Sequence, residues 1–365
     1  LDKQRKFQQI TVKFICETSE MRPEADITQN VLCRNISLIS SLICLILVRF
    51  SALEKSVCDT DCICKFLTVD CSYIYFGTIP DGIPNDTKTL YFRENSLCNV
   101  PPYSFIELPH LQHLDLSLNF IDYIDSLAFV GPRQLLSLNL SHCGSFSAND
   151  LPKLNGLEHL EDLQLSRCMT WNLSASSFKN LRSLKRLDLS DNYLTDINPE
   201  AFTGLDHLES IDLSRNRFCL SKLDSAVFKP LTSLENLSIF KTTRDLLCEP
   251  LKNSISLSKL QRLTIGTENL PIDILAWGTA PGLKSLFVHV LWNVSLSRNT
   301  FLHVDYLTTL GLYIWRNMSI SIMSNVFQHF LNLKELIVNI PSIEKTLLLS
   351  LSNAMQNHKS LRTVR

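Results

Sequence analysis

Four cysteines, Cys58, Cys62, Cys64 and Cys71, fall at the spacing C-x3-C-x-C-x6-C. Two chemistries suit such a cluster: a zinc site or a pair of disulfides. Structural zinc sites of this size draw on C-x2-C pairs and nearby histidines, and this stretch has neither. Upstream, Ile36–Val48 (ISLISSLICLILV) is apolar and serine-containing, with Arg34 before it and Arg49 after it. That length is short for a membrane span and suits the central region of a secretory signal, with Ser51-Ala52 as a loose cleavage site. A secreted route favours disulfides. Spacing alone allows three pairings.

The remaining chemistry-bearing residues do not gather into a reaction centre. His110, His113, His142, His159 and His207 are scattered without H-E-x-x-H spacing. Asp115, Asp188 and Asp212 recur at one register position and could in principle hold a cation or act as acid and base. Beside Ser117, Ser190 and Ser214 they read more simply as solvated polar surface. No Gly-rich phosphate loop is present, and no cofactor or enzymatic activity is expected. Asn85, Asn139, Asn172, Asn236, Asn293 and Asn317 each open an N-x-[ST] sequon, the acceptor for N-glycosylation in a secreted chain. Asn35 opens another, but it precedes the signal segment and is not expected to be retained.

These residues need a scaffold, and its unit is clearest in LKRLDLSDNYLTDINPEAF, Leu184–Phe202. Leu184, Leu187, Leu189, Asn192, Leu194, Ile197 and Phe202 occupy positions 1, 4, 6, 9, 11, 14 and 19. Alternation from Leu187 to Leu189 predicts a short strand with one buried face. The Asn ends it, its amide serving backbone groups of a turn that lacks a ladder partner. One such unit cannot close a core, so copies must stack. Aligned on position 4, the copies are anchored by Leu90, Leu114, Leu138, Leu163, Leu187, Ile211, Leu237, Leu263, Leu286, Leu310, Leu336 and Val364, 23 to 28 residues apart. Phe105, Phe129, Phe178, Phe202, Phe228, Phe301 and Phe327 form a second marker in phase, which predicts a row of stacked rings behind the sheet. The Asn is held by Asn95, Asn119, Asn192 and Asn216 and replaced by Cys143 and Cys168. These two read as buried structural thiols, a disulfide between them being the alternative. A Cys219–Cys248 bridge between adjacent repeats is a further candidate, and Cys98 has no obvious partner.

The run Cys58–Cys71 followed by IPDGIPNDTKTLYFRENSL (Ile79–Leu97) resembles the N-terminal cysteine cap and first repeat of extracellular leucine-rich-repeat proteins. LPHLQHLDLSLNFIDYIDSLAF (Leu108–Phe129) and Leu181–Phe202 resemble Toll-like receptor ectodomains within that group, as do the uneven repeat lengths. The resemblance implies an α/β leucine-rich-repeat solenoid, with a curved parallel sheet on the concave face and short helical or irregular convex segments. It implies the pairs Cys58–Cys64 and Cys62–Cys71. It also implies recognition of microbial ligands, homo- or heterodimerisation, and inflammatory signalling through a domain not in this chain. The location implied is extracellular or endosomal-lumenal.

The organisation expected is an uninformative segment 1–35, a signal region 36–57, a cysteine cap 58–86 and repeats 87–365. Met21 is a candidate initiator. The chain stops at Arg365 inside a repeat, which reads as a fragment of a membrane receptor, or as a soluble form. Residues 1–57 hold eight Lys or Arg and six Asp or Glu, leaving 27 basic and 30 acidic residues for the rest. That near-balance gives no strong nucleic-acid signature. At outward positions 3, 5 and 7 the early repeats are polar, whereas later ones carry Phe240, Phe287, Tyr313 and Ile337. Phe287, Tyr313 and Ile337 are therefore candidates for a ligand or dimer contact. A register slip of one residue would put them in the core instead.

Overall fold

The structure is a computed structural model that describes residues 56–144, 154–218, 224–240, 257–267, 281–290, 294–296, 304–314, 320–322, 326–327 and 330–339, with Phe301, Ser352, Thr363 and Val364. The apolar segment Ile36–Val48, Cys219, Cys248, Asn293 and Asn317 lie outside the described residues.

The described residues from Ser56 onward form a leucine-rich-repeat solenoid. Its spine is a 14-stranded sheet whose strands follow one another in chain order. The cap opens it as an antiparallel hairpin, Ile63–Lys65 against Thr68–Asp70. Thr68–Asp70 then pairs in parallel with the first repeat strand, Thr89–Tyr91. Every further neighbour is parallel. The cap and the repeats thus share one sheet, and the hairpin closes the end of the stack that would otherwise expose the first repeat's apolar face. The cap carries the bridges Cys58–Cys64 and Cys62–Cys71, the pairing that the family resemblance implies.

The register is the one the sequence dictates. Leu90, Leu114, Leu138, Leu163, Leu187 and Ile211 face one another strand by strand. Leu237, Leu263, Leu286, Leu310, Leu336 and Val364 continue the line. Leu184, Leu187, Leu189, Asn192, Leu194, Ile197 and Phe202 are all buried. The phenylalanine marker is buried throughout and stacks in part: Phe105 and Phe129 at 5.7 Å and Phe178 and Phe202 at 6.1 Å, whereas Phe301 and Phe327 each meet Phe330 at a tilt, 5.8 and 6.4 Å between centroids. Helix is sparse; 3-10 turns at Val57–Asp59 and Ser225–Phe228 are examples among the described residues. Among those residues no helix is long and apolar enough to cross a membrane.

The repeats are of two kinds. Up to Ser210–Asp212 the strands of the main sheet have three residues. Here a buried Asn does what the ladder cannot. Asn192 Oδ1 accepts from the Cys168 and Thr170 amides at 2.9 and 3.1 Å, and its Nδ2 donates to the Leu165 and Leu189 carbonyls at 2.8 and 3.0 Å. Asn95, Asn119 and Asn216 make the matching bonds in their repeats. The residue just before each of these positions sits in the left-handed region although none is glycine: Glu94, Leu118, His142, Arg167, Asp191 and Arg215 have φ between 51° and 57°. That conformation is costly for a side chain with a Cβ and persists because the buried bonds beside it leave no alternative path.

From Asn236–Ile239 onward the Asn is missing and the strands lengthen. Arg262–Thr267, Ser285–Val290 and Thr309–Ile314 have six residues each. The chain stays extended where the early repeats turn, so Val290 and Ile314 point into the core. The missing marker reflects a longer strand and not a slipped register.

The stack predicts a clear ranking of substitutions. Leu187→Ala opens a cavity between two repeats and should cost about 2–5 kcal/mol. Asp188→Ala, on the outward side of the same strand, removes one hydrogen bond to the Ser190 amide and should cost about 0.5–1.5 kcal/mol. Denaturant unfolding of the two variants checks the order; equal losses would mean that the inward and outward faces are misassigned.

Candidate functional site

The outward face of the sheet divides as the strands do. In the early half, the position-5 acids are already engaged. Asp115, Asp188 and Asp212 each accept the amide of the serine two residues on, at 2.9, 2.8 and 2.8 Å. Asn139 does the same for Ser141 at 3.0 Å. Ser117 and Ser214 are buried. The row is therefore a set of turn-closing groups more than a solvated acidic surface. Burial raises the Asp212 carboxyl pKa, helped by the charge of Asp188 and opposed by hydrogen bonds from Ser214. Flanking charges pair across strands: Arg186 with Asp162 at 2.7 Å, Lys185 with Glu161 at 3.0 Å, and Arg167 and Arg215 with a shared Asp191 at 3.2 Å each. Among the described residues, no group of three or more His, Cys, Asp or Glu gathers to hold a metal.

The two cysteines in the Asn position are free thiols in the structure. Cys143 Sγ donates to the Leu116 carbonyl at 3.5 Å and Cys168 Sγ to the Leu140 carbonyl at 3.0 Å. These are the same acceptors that the Asn side chains use elsewhere. Burial raises both thiols, with the neighbouring Cys168 adding to the rise at Cys143; Cys168 is pushed up to about 12. Such thiols are inert as nucleophiles. Alkylation of the native protein at pH 8, read by peptide mass, should modify exposed Cys98 and spare Cys143 and Cys168 until denaturant is added. Equal labelling of all three would contradict the buried geometry.

In the late half the strands run on past the point of the early turn, and several outward positions carry rings. Phe240, His289 and Tyr313 all fall at position 7. Phe240 and His289 stack at 3.8 Å between centroids and 7° between planes; His289 and Tyr313 stack at 4.9 Å and 12°. The strand between the first two contributes Gly266 opposite His289, so no side chain keeps the rings apart. Phe287 lies over Gly311, its direct neighbour in the ladder; a Cβ there would collide with the ring. Phe287 also sits 6.2 Å from Tyr313, with the Arg262 guanidinium 5.6 Å from its centroid. The structure thus brings Phe287 and Tyr313 together, half-buried, as parts of a small aromatic layer on the sheet's outward face. Ile337 lies beside them, paired with Gly311. His289, Gly266 and Gly311 escape sequence reading. The alternation in SLFVHV (Ser285–Val290) marks His289 as outward, but nothing in the sequence shows that two glycines make room for the rings.

Of the sequon residues, Asn85 and Asn172 are exposed, while Asn139 and Asn236 are half-buried on the outward side of their strands.

Burial lowers the His289 imidazole to about 4 from its ordinary 6.5, and the Arg215 charge adds to the effect. In the unfolded chain His289 takes up its proton nearer 6.5, so its contribution to stability is complete above that pH and lost as the pH falls toward 4. Melting temperature should therefore drop between pH 6.5 and 4.5, and the drop should be smaller in His289→Phe. An identical pH profile in the variant would remove His289 as the cause.

Residues 87–144 and 158–218 match the Leucine rich repeat family. Leucine-rich repeat-containing protein 3 of Danio rerio is 36% identical over 110 residues, 29% of this chain and 39% of that protein. Human leucine-rich repeat-containing protein 3C is 44% identical over 64 residues, 18% and 23% of the two chains. Transforming growth factor beta activator LRRC33 of Danio rerio is 28% identical over 233 residues, 62% and 29% of the two chains. The chain thus spans well under half the length of each of these relatives. A solved structure, the crystal structure of a TLR13-ssRNA13 complex, overlaps 81% of this chain and 49% of its own at a TM-score of 0.49 and 20% identity. The family match falls on the early repeats, those that keep the Asn or its cysteine substitutes.

Proposed function

We propose that this chain is the ligand-binding ectodomain of a Toll-like pattern-recognition receptor. Its ligand is a microbial molecule docking on the outward face of the late strands, around Phe287, Tyr313 and Ile337. It works as a receptor homo- or heterodimer on the extracellular or endosomal-lumenal side of a membrane, is not an enzyme, and needs no cofactor. On this reading residues 58–86 are its cap and Asn85, Asn139, Asn172, Asn236, Asn293 and Asn317 carry N-glycans, those on Asn139 and Asn236 rising from the outward side of their strands. The observation that supports it most is the aromatic layer. Half-buried rings on a sheet face, with an Arg at the edge, are the composition of binding hot spots. The early half offers turn-closing and cross-paired polar groups instead.

A second reading is a leucine-rich-repeat binding module that does not signal. It is favoured by the 233-residue match to a protein named as a transforming growth factor beta activator. Transcript sequence beyond Arg365 separates the two. A span of about 20 apolar residues followed by an α/β signalling domain supports the receptor; a C-terminal cap followed by a stop codon supports the module.

The docking surface has its own test. The ectodomain is grafted onto a Toll-type signalling domain in reporter cells, which are then given purified microbial lipopeptide, RNA and protein in separate wells. One of these should activate the wild-type chimera. Phe287→Ser and Tyr313→Ser should weaken that response by about tenfold or more, the loss expected of a truncated hot-spot residue, with secretion and melting unchanged. Variants that fail to be secreted would show that these rings are structural.

A further inference from the structure

Beyond the sheet, the chain leaves each early repeat along a flank that carries large apolar side chains in the open. Tyr75, Phe120, Tyr123, Met169 and Trp171 are 82, 66, 58, 49 and 41% exposed. One end of this strip is organised. Trp171 and Tyr193 meet at 5.2 Å between centroids with planes tilted by 49°. The Arg217 guanidinium caps them, 4.0 Å from the Tyr193 ring centre and 5.3 Å from that of Trp171. A cation over two aromatic faces holds both rings in place. The result is a fixed, amphipathic platform with part of the indole still in water.

The residue after Trp171 is Asn172, first of the sequon Asn172-Leu173-Ser174. Its backbone is pinned: Asn172–Leu173 pairs in parallel with Asp196–Ile197, and Leu173 is buried. Its side chain is oriented as well, because the Thr195 hydroxyl donates to Asn172 Oδ1 at 3.3 Å. Attachment of a sugar to Nδ2 leaves that oxygen, so the bond survives glycosylation and restricts where the first sugar can go. The Thr195 amide in turn donates to the Trp171 carbonyl at 3.0 Å, so the Asn172 amide is held on the same pair of rungs as the platform. A pyranose presents apolar C–H faces and a polar rim. The exposed part of the indole suits the first, and the Arg217 guanidinium over the ring and the Thr195 hydroxyl on Asn172 are groups suited to the second.

We propose that an N-glycan on Asn172 folds back onto Trp171, its first N-acetylglucosamine stacking on the indole beside Tyr193. This rests on the reading that Asn172 is glycosylated, and adds where the sugar lies. The glycan shields this end of the apolar strip, while Tyr75, Phe120 and Tyr123 stay uncovered.

The test is residue-resolved hydroxyl-radical footprinting of protein secreted from cells restricted to high-mannose glycans, with peptide mapping of Asn172 in the same samples. Four forms are compared: fully glycosylated, trimmed by endoglycosidase to a single N-acetylglucosamine, Asn172→Gln, and Ser174→Ala. Trp171 should be oxidised several-fold more slowly in the first two forms than in the sequon variants, with Phe120 and Tyr123 unchanged as internal controls. Ser174→Ala keeps the Asn172–Thr195 bond and so guards against a local defect in Asn172→Gln. Full occupancy of Asn172 with equal Trp171 oxidation in all forms would overturn the stacking and leave the glycan reading intact. An unoccupied Asn172 in the secreted wild type would overturn both.

Discussion

The early repeats depend on one buried side-chain amide. A parallel sheet of three-residue strands must release the chain sideways after each strand, and at that point backbone amides and carbonyls are buried with no ladder to join. An unpaired buried amide or carbonyl costs about 1–3 kcal/mol. Asn192 and its equivalents satisfy groups in two successive repeats at once. That bonding ties each repeat to the next and offsets the strain of a non-glycine left-handed residue at every turn. Cys143 and Cys168 show how little of the amide is indispensable. One weak donor aimed at the previous repeat's carbonyl preserves the geometry, provided that the thiol stays protonated, which burial ensures.

The late repeats solve the same problem by postponing it. With no Asn to end them, the strands run on for two or three further residues and the ladder itself satisfies the backbone. Residues that would have formed the turn continue the alternation of the strand: His289 goes out as Phe287 does, and Val290 goes in as Val288 does. This difference controls the chemistry of the exposed face. In the early half, Asp115, Asn139, Asp188 and Asp212 at position 5 each accept a serine amide, which commits those side chains to the turn. In the late half the longer ladder takes over that task at positions 5 and 7. Glycines and aromatic rings can then occupy them in combination.

How far the sequence can be read follows from the same division. Periodicity is a property of buried positions, and it located all twelve anchor residues and the phenylalanine row, because stacking forces identical neighbours to meet. It also placed Phe287 and Tyr313 outward. It could not show that Phe287 spreads over Gly311 or that Phe240 reaches His289 across Gly266, since these contacts depend on the absence of side chains in neighbouring repeats. Nor could it separate a solvated aspartate row from a turn-closing one. The D-x-S spacing is visible in the sequence, whereas the direction of each carboxylate is set by the backbone turn that it completes.

A solenoid adds surface by adding repeats, and each repeat must first satisfy its own backbone before its outward side chains can serve anything else. Where a repeat uses Asp, Ser and Asn for that purpose, its outward face is nearly the same as its neighbours', and recognition by that face has little to distinguish one rung from the next. Where strand extension takes over the task, each rung can differ. The rungs at Arg262, Phe287, Tyr313 and Ile337 do differ, and the rings among them pack on one another and on their neighbours. Such packing lowers the entropy that these side chains would lose on binding. The departure from the regular repeat is therefore what gives this half of the molecule a preorganised surface, and the regular half what gives that surface a rigid support.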